Sequence, residues 1–170
     1  MTAAANDIAA SLRAKKTVRV LFVCLGNICR SPAAEGVFRS FVVTEGADGR
    51  FVIDSAGIGD WHIGQLPDRR MREHARRRGY ELTHHARQVN TSDFGRFDLI
   101  IGMDAQNCAD LRALAPNEEA KRKIMPMSAF FGPDAPTDSV PDPYYEGPEG
   151  FELVLDLLED SLRRLFRQLN

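Results

Sequence analysis

The chain has 170 residues and a formal net charge of −2, with 44% hydrophobic and 27% charged residues. That length fits one domain with a sizeable core, and the mixed, near-neutral charge gives no electrostatic reason to bind nucleic acid or an anionic membrane. No apolar run approaches the ~20 residues that span a bilayer, and three cysteines, an odd number, do not make a disulfide framework, so the chain reads as a cytosolic protein whose cysteines are thiols.

The first sixteen residues, MTAAANDIAASLRAKK, lack the apolar core of a signal peptide. They read as an N-terminal extension, either a short helix with Ile8 and Leu12 one turn apart or a disordered segment. Residues 17–170 read as a single domain. Val18–Val23 is a β-branched apolar run and predicts a buried strand. Pro32–Val43 predicts a helix, with Ser31 as N-cap and Pro32 in its first turn. Phe51–Ile53 predicts a second strand and Ala56–Leu66, with three glycines, a loop. Pro67–Arg78 predicts a helix with Gly79 past its end. Asp98–Gly102 predicts a third strand, Asp104–Ala115 a helix capped by Asp104, and Ile124–Met127 a fourth strand. Residues 132–148 carry five prolines and predict a loop. Gly150–Gln168 predicts a long amphipathic helix, with Phe151, Val154, Leu155, Leu158, Leu162 and Phe166 on one side. Strands alternating with helices predict an α/β fold with a mostly parallel sheet. In such a sheet a ligand sits beyond the C-terminal ends of the strands, where Cys24 falls.

The segment from Cys24 to Arg30, CLGNICR, lies between the first strand and the first helix of the domain. Gly26 and Asn27 are the residue types that tolerate positive φ. Such a turn points successive backbone N–H groups into one concavity, a nest for an anion. The helix start adds its positive end, and Arg30 offers a guanidinium fork to two oxygens of a tetrahedral anion. The same surroundings favour a thiolate at Cys24. A cysteine ending a buried strand is more often a small hydrophobe. The Gly-Asn pair inside this loop and the Ser-Pro after it distinguish it from that case. The residues therefore point to a nucleophile aimed at a bound phosphate.

VLFVCLGNICRSPAAE closely resembles the phosphate-binding loop of the low-molecular-weight protein tyrosine phosphatases. DSAGIGDWHIGQLPD (54–68), HHARQV (84–89), MDAQN (103–107) and PDPYY (141–145) resemble four further segments of that family, in the family's order. The resemblance runs from about Val18 onward. It implies a flavodoxin-like three-layer sandwich, a four-stranded parallel sheet with helices on both faces. It also implies hydrolysis of phosphotyrosine in two steps without a metal or other cofactor. Cys24 resembles the nucleophile that forms a phosphocysteine, Arg30 the clamp on the phosphoryl oxygens, and Asp142 the acid that protonates the tyrosyl leaving group and then activates water. Leu25, Gly26, Asn27, Ile28, Cys29 and Ser31 complete the phosphate-binding loop, with Ser31 a donor to the Cys24 sulfur. Asn27, Ser55 and His84 resemble the hydrogen-bonded support of that loop; His85 is adjacent and competes with His84 for the part. Trp61, Tyr144 and Tyr145 resemble walls of the substrate cleft. Family members with a cysteine at the position of Cys29 form a reversible disulfide with the nucleophile under oxidation.

Cys108 reads as structural, and the arginine-rich stretch RRMREHARRR (69–78) as a solvated helix face. No His and Cys spacing fits a zinc site. The expected partners are phosphotyrosine-containing proteins and inorganic phosphate or other oxyanions, with a monomer the default. Two other activities use a similar scaffold. A thiol-dependent arsenate reductase needs a relay of further cysteines, and only Cys108 lies outside the loop. A phosphoarginine phosphatase favours threonine where this loop has the apolar Ile28.

Overall fold

The computed structural model describes residues 2–170. Helix α1 (Ala3–Arg13) leads into strand β1 (Val18–Cys24), followed by α2 (Arg30–Thr44), β2 (Phe51–Gly57), α3 (Arg69–Arg77), α4 (Asp93–Arg96), β3 (Leu99–Gly102), α5 (Ala105–Leu114), α6 (Glu118–Arg122), β4 (Ile124–Pro126), a 3-10 turn at Met127–Phe130 and α7 (Pro148–Leu169). The four strands are parallel, in the order β2-β1-β3-β4. Alternation along β1 sorts the core. Val18, Val20, Phe22 and Cys24 join one buried cluster with side chains of α1, α2, α3 and α7. Leu21 and Val23 join a second with Ala56, Ile100, Phe94, Cys108, Leu111 and Ala120, from the α4, α5 and α6 side. The expected three-layer sandwich is thus observed. The chain leaves β1 for β2 on one side and reaches β3 on the other, so the strand order switches at β1. A crevice opens at the C-terminal end of such a strand, and Cys24 is the last residue of β1.

Several elements differ from the sequence reading. β2 runs four residues past Ile53, because Asp54 to Gly57 pair with Leu21 to Cys24 although they carry no apolar pattern. Helices α4 and α6 have four and five residues, too short for a periodic signal. Helix α2 starts at Arg30 rather than Pro32, and its N-cap is Cys29 with no side-chain cap bond. Ser31 is not the cap: its hydroxyl turns toward Cys24 and Asn27 instead. Asp104 does cap α5, accepting from the Asn107 amide at 2.8 Å.

Residues 3–13 of the extension are helical and docked. Ala5, Ala9 and Leu12 are buried and Ile8 only half so. The Arg50 guanidinium donates to the Arg13 carbonyl at 2.7 Å. No helix among the described residues is long and apolar enough to cross a membrane.

Candidate active site

The loop between β1 and α2 curls over the strand end. Asn27 is the only non-glycine residue with positive φ among those described, at 57°. Gly26, expected to share that conformation, does not. Its need is space: a Cβ there would lie 2.9 Å from the His62 ring. Gly57, at the end of β2, backs the loop so closely that a Cβ would lie 3.0 Å from the Leu25 oxygen and the Gly26 carbonyl carbon. The αL region costs most side chains about 1–2 kcal/mol, asparagine is among the few that tolerate it, and the buried Asn27 side chain holds the turn. Asn27 Nδ2 donates to Ser31 Oγ at 2.7 Å and Ser55 Oγ at 3.0 Å. Asn27 Oδ1 accepts from the Arg87 amide at 3.0 Å and lies 3.0 Å from His84 Nε2, which must therefore carry a proton.

That pattern constrains other protons. Ser31 Oγ accepts from Asn27, which leaves its own hydrogen for Cys24 Sγ at 3.0 Å or the Ala56 carbonyl at 3.4 Å. Ser55 also accepts from Asn27 and donates to Glu35 Oε1 at 2.8 Å. His84, not the exposed His85, supports the loop, with Nδ1 3.2 Å from Glu35 and 3.5 Å from Asp54. Glu35, Asp54 and His84 could by residue type hold a metal ion. Glu35 already binds Ser55 and Arg39, Asp54 binds Arg87, and His84 Nδ1 faces these two carboxylates. The sequence reading named neither Glu35, Asp54 nor Arg87. Strand register and helix phase bring them together from distant parts of the chain.

Arg30 is nearly sealed, its side chain 3% exposed. Nη1 donates to Asp104 Oδ2 at 2.7 Å and to the Val140 carbonyl at 3.1 Å, and Nη2 lies 3.7 Å from Asp142 Oδ2. Burial works against its charge, but the neighbouring Cys24, Asp104 and Asp142 outweigh that and favour the guanidinium further. Asp104, read from the sequence as a helix cap only, thus carries both that cap and an arginine. Asp142 itself is half open to solvent, with Oδ1 accepting from the Tyr144 amide at 3.1 Å.

Cys24, Leu25, Gly26, Ile28, Cys29, Arg30, Trp61, His62, Asp142, Tyr144 and Tyr145 line one cavity of about 210 Å³. The three expected wall residues are together there, and all are exposed, Trp61 at 65% and Tyr145 at 93%. A buried thiol, a guanidinium, a half-exposed carboxyl and exposed aromatic rings on one cavity suit a flat, anionic ester. Cys29 is buried within the loop, and burial pushes its thiol far up, with Asp68, Cys24 and Asp142 adding to the effect. Burial likewise raises the Cys108 thiol, whose sulfur packs 2.7 Å from the point where a Cβ on Gly102 would lie. Its place is structural.

The arginine-rich stretch is not a solvated face throughout. Arg78 pairs with Glu152, Asp156 and Glu159 of α7 at 2.8–3.1 Å, and His74 stacks on Phe151 and bonds Glu152. Helix α3 is riveted to α7 by these charges, whose partners lie some 80 residues away.

Comparisons with known proteins agree with the geometry. Residues 19–170 match the family described as low molecular weight phosphotyrosine protein phosphatase. The chain is 44% identical over 137 residues to the low molecular weight phosphotyrosine protein phosphatase of Schizosaccharomyces pombe, covering 80% of this chain and 86% of that one. A crystal structure of a protein tyrosine phosphatase from Entamoeba histolytica superposes with a TM-score of 0.86 at 43% identity, covering 90% of this chain and 97% of the other. That of a Drosophila arginine phosphatase superposes at 0.80 with 30% identity, covering 87% and 95%. Matched in sequence over nearly its whole length and in structure by the same group of enzymes, this chain belongs to the low molecular weight phosphotyrosine protein phosphatase family and is a phosphatase.

Proposed function

We propose that this phosphatase hydrolyses phosphotyrosine in proteins through a phosphocysteine intermediate. The observation that carries the reading is the alignment of Cys24 Sγ, Arg30 and Asp142 on one cavity rimmed by Trp61, Tyr144 and Tyr145. In the first step the Cys24 thiolate attacks phosphorus and the phosphorus–oxygen bond of the ester breaks. Asp142, entering as the acid, gives its proton to the departing phenolate. Arg30 and the loop amides hold the equatorial oxygens as charge shifts onto them. In the second step the Asp142 carboxylate takes a proton from water, the water oxygen bonds phosphorus, and the Cys24 thiolate leaves. Ser31, its hydroxyl within reach of that sulfur, stabilises the leaving thiolate. The protein groups supply the charge stabilisation, so the route calls on no metal.

The apolar Ile28 lines the cavity, which favours an aromatic phosphoester over phosphoarginine. Cys108, buried behind Gly102, is poorly placed to relay electrons for arsenate reduction. Oxidation acts on the same loop. Peroxide converts the Cys24 thiolate to a sulfenic acid, and the Cys29 thiol displaces hydroxide as water to form a disulfide that thiols reverse.

The test is hydrolysis of a phosphotyrosine peptide without added metal, for wild type, Cys24→Ser and Asp142→Ala. The serine variant is expected to be inactive. The alanine variant is expected to lose on the order of 10²–10⁴ in rate, chiefly on esters with poor leaving groups. Wild-type activity in Cys24→Ser would remove the nucleophile from the scheme. Activity on phosphoarginine but not phosphotyrosine would reassign the substrate.

A further inference from the structure

The segment carrying Asp142 is thinly held. Among the described residues, 141–146 receive one hydrogen bond from outside their own loop: Arg70 Nη2 donates to the Tyr144 carbonyl at 3.0 Å. Tyr144 is also the residue whose amide holds Asp142 Oδ1 at 3.1 Å. One peptide segment is therefore gripped on its carbonyl side by Arg70 and on its amide side by the candidate acid.

Arg70 is itself fixed. Its guanidinium forks onto Asp68, with Nε 3.1 Å from Oδ1 and Nη2 3.0 Å from Oδ2, while the Arg70 amide donates to the same carboxylate at 2.8 Å. Burial alone would raise the Asp68 carboxyl, but the bonds from Arg70 outweigh it and hold the carboxyl below its ordinary range. Asp68 in turn donates its backbone amide to the Ile28 carbonyl at 2.7 Å, inside the phosphate-binding loop. The guanidinium carbon also lies 5.4 Å from the centre of the Tyr144 ring and 4.9 Å from that of Phe151, within cation–π range. A continuous path of contacts runs from the floor of the site to its mouth, through Ile28, Asp68, Arg70 and Tyr144.

We propose that Arg70 is a positioning residue for Asp142: it ties the acid-bearing loop to the phosphate-binding loop and so sets the carboxyl at the leaving-group oxygen. The proposal rests on the reading of Asp142 as the general acid. Arg70 touches none of the reacting atoms, and its side chain is half exposed, so its loss is not expected to unfold the protein.

The experiment compares kcat/KM on phenyl phosphate, whose leaving group needs a proton, with that on p-nitrophenyl phosphate, whose leaving group needs little. Wild type, Arg70→Ala, Asp142→Ala and the double variant are measured, with the inhibition constant of inorganic phosphate for each. Arg70→Ala is expected to lose on the order of tenfold on phenyl phosphate, part of what a general acid contributes, and under about threefold on p-nitrophenyl phosphate. Phosphate inhibition should not change, and the double variant should be no slower than Asp142→Ala. Equal losses on both esters, weakened phosphate binding, or a further loss in the Asp142→Ala background would each overturn the assignment. Should Asp142→Ala itself lose equally on both esters, the general-acid reading fails and Arg70's role goes with it. Should Asp142→Ala show the leaving-group signature and Arg70→Ala lack it, only the role of Arg70 fails.

Discussion

Replacing Asn27 asks whether the loop needs that residue for its backbone angle or for its side chain. Asn27→Ala removes four hydrogen bonds, two buried and two partly buried. They are not equivalent. Ser31 and Ser55 lose a donor but keep Cys24 and Glu35 as partners. The Arg87 amide and His84 Nε2 lose their acceptor, and a buried donor left unpaired costs roughly 1–3 kcal/mol. Two such donors, less some relief from entering water, give about 3–4 kcal/mol. Alanine at a φ of 57° lacks asparagine's tolerance of that region and adds up to about 1–2 kcal/mol of strain. At roughly 2–4 °C per kcal/mol for a chain of this size, the melting temperature should fall by about 10 °C or more. Asn27→Gly separates the two causes. Glycine relieves the strain, but its freedom in the unfolded chain offsets about 0.4–1 kcal/mol of that gain. It should therefore remain within about 1 kcal/mol of the alanine variant. The assay is thermal and urea unfolding of the three proteins, with kcat/KM on a phosphotyrosine peptide and phosphate inhibition beside it. Both variants should lose activity and phosphate affinity, because the loop amides are no longer held in one concavity. Wild-type stability and activity in Asn27→Gly would refute the reasoning, since the residue would then serve its φ angle and the hydrogen bonds would be idle.

Three further outcomes follow from the geometry. Removing residues 2–14 should lower the melting temperature by roughly 4–8 °C, the burial of Leu12 alone being worth about 1.5–3 kcal/mol. It should leave kcat/KM within about twofold, because α1 ends beside Arg50, at the start of β2 and so the opposite end of the sheet from Cys24; a large loss of activity would show coupling that the contacts do not explain. Stability should decline as pH falls below about 4.5, the ordinary value for Glu152. Burial would raise that carboxyl, but bonds from His74 and Arg78 outweigh it and hold it down in the fold. Its contribution is therefore present above the unfolded value and lost on acidification. Urea midpoints for Glu152→Gln should fall less steeply than wild type between pH 5 and 3, and parallel slopes would count against the α3–α7 charge contacts. Brief iodoacetamide treatment at pH 7, read by peptide mass, should leave Cys29 and Cys108 unmodified, since burial raises both thiols, and phosphate should protect Cys24; prompt labelling of Cys29 would contradict its burial.

What the sequence disclosed and what it concealed divide along contact distance. Cys24, Asn27, Arg30 and Ser31 lie within eight residues, between a strand and a helix that each announce themselves, so their gathering in one loop is readable from the sequence. Asp104 and the final helix were legible for the same local reason, a capping side chain and an apolar stripe. The support of the loop was only half readable. Ser55 and His84 entered by resemblance, while Glu35, Asp54 and Arg87 gave no local signal. Their juxtaposition is set by the register that pairs Leu21 with Asp54 and Phe22 with Ser55, and by the turn of α2 that brings Glu35 to Ser55. Ser31 shows how a local rule yields to the site. A serine before a proline is a good N-cap, yet here the hydroxyl faces the Cys24 sulfur at 3.0 Å and the helix begins two residues earlier than expected, uncapped by any side chain.

Arg70 is the sharper case. In the sequence it is one of six arginines among ten residues, and by composition none of the six stands apart. In the fold Arg78 is drawn to the acids of α7, Arg70 to Asp68 and the Tyr144 carbonyl, while Arg69 pairs only with Glu73 at the surface. A guanidinium donates along a planar fork, so it can hold a carboxylate and a carbonyl at once. Which arginine does so depends on where the acid-bearing loop returns, 74 residues later in the chain. The charge run was therefore visible as composition, whereas the division of labour within it exists only in the folded molecule. The Arg70→Ala and Asp142→Ala comparison tests that division directly, because a merely solvated arginine would leave the leaving-group dependence untouched.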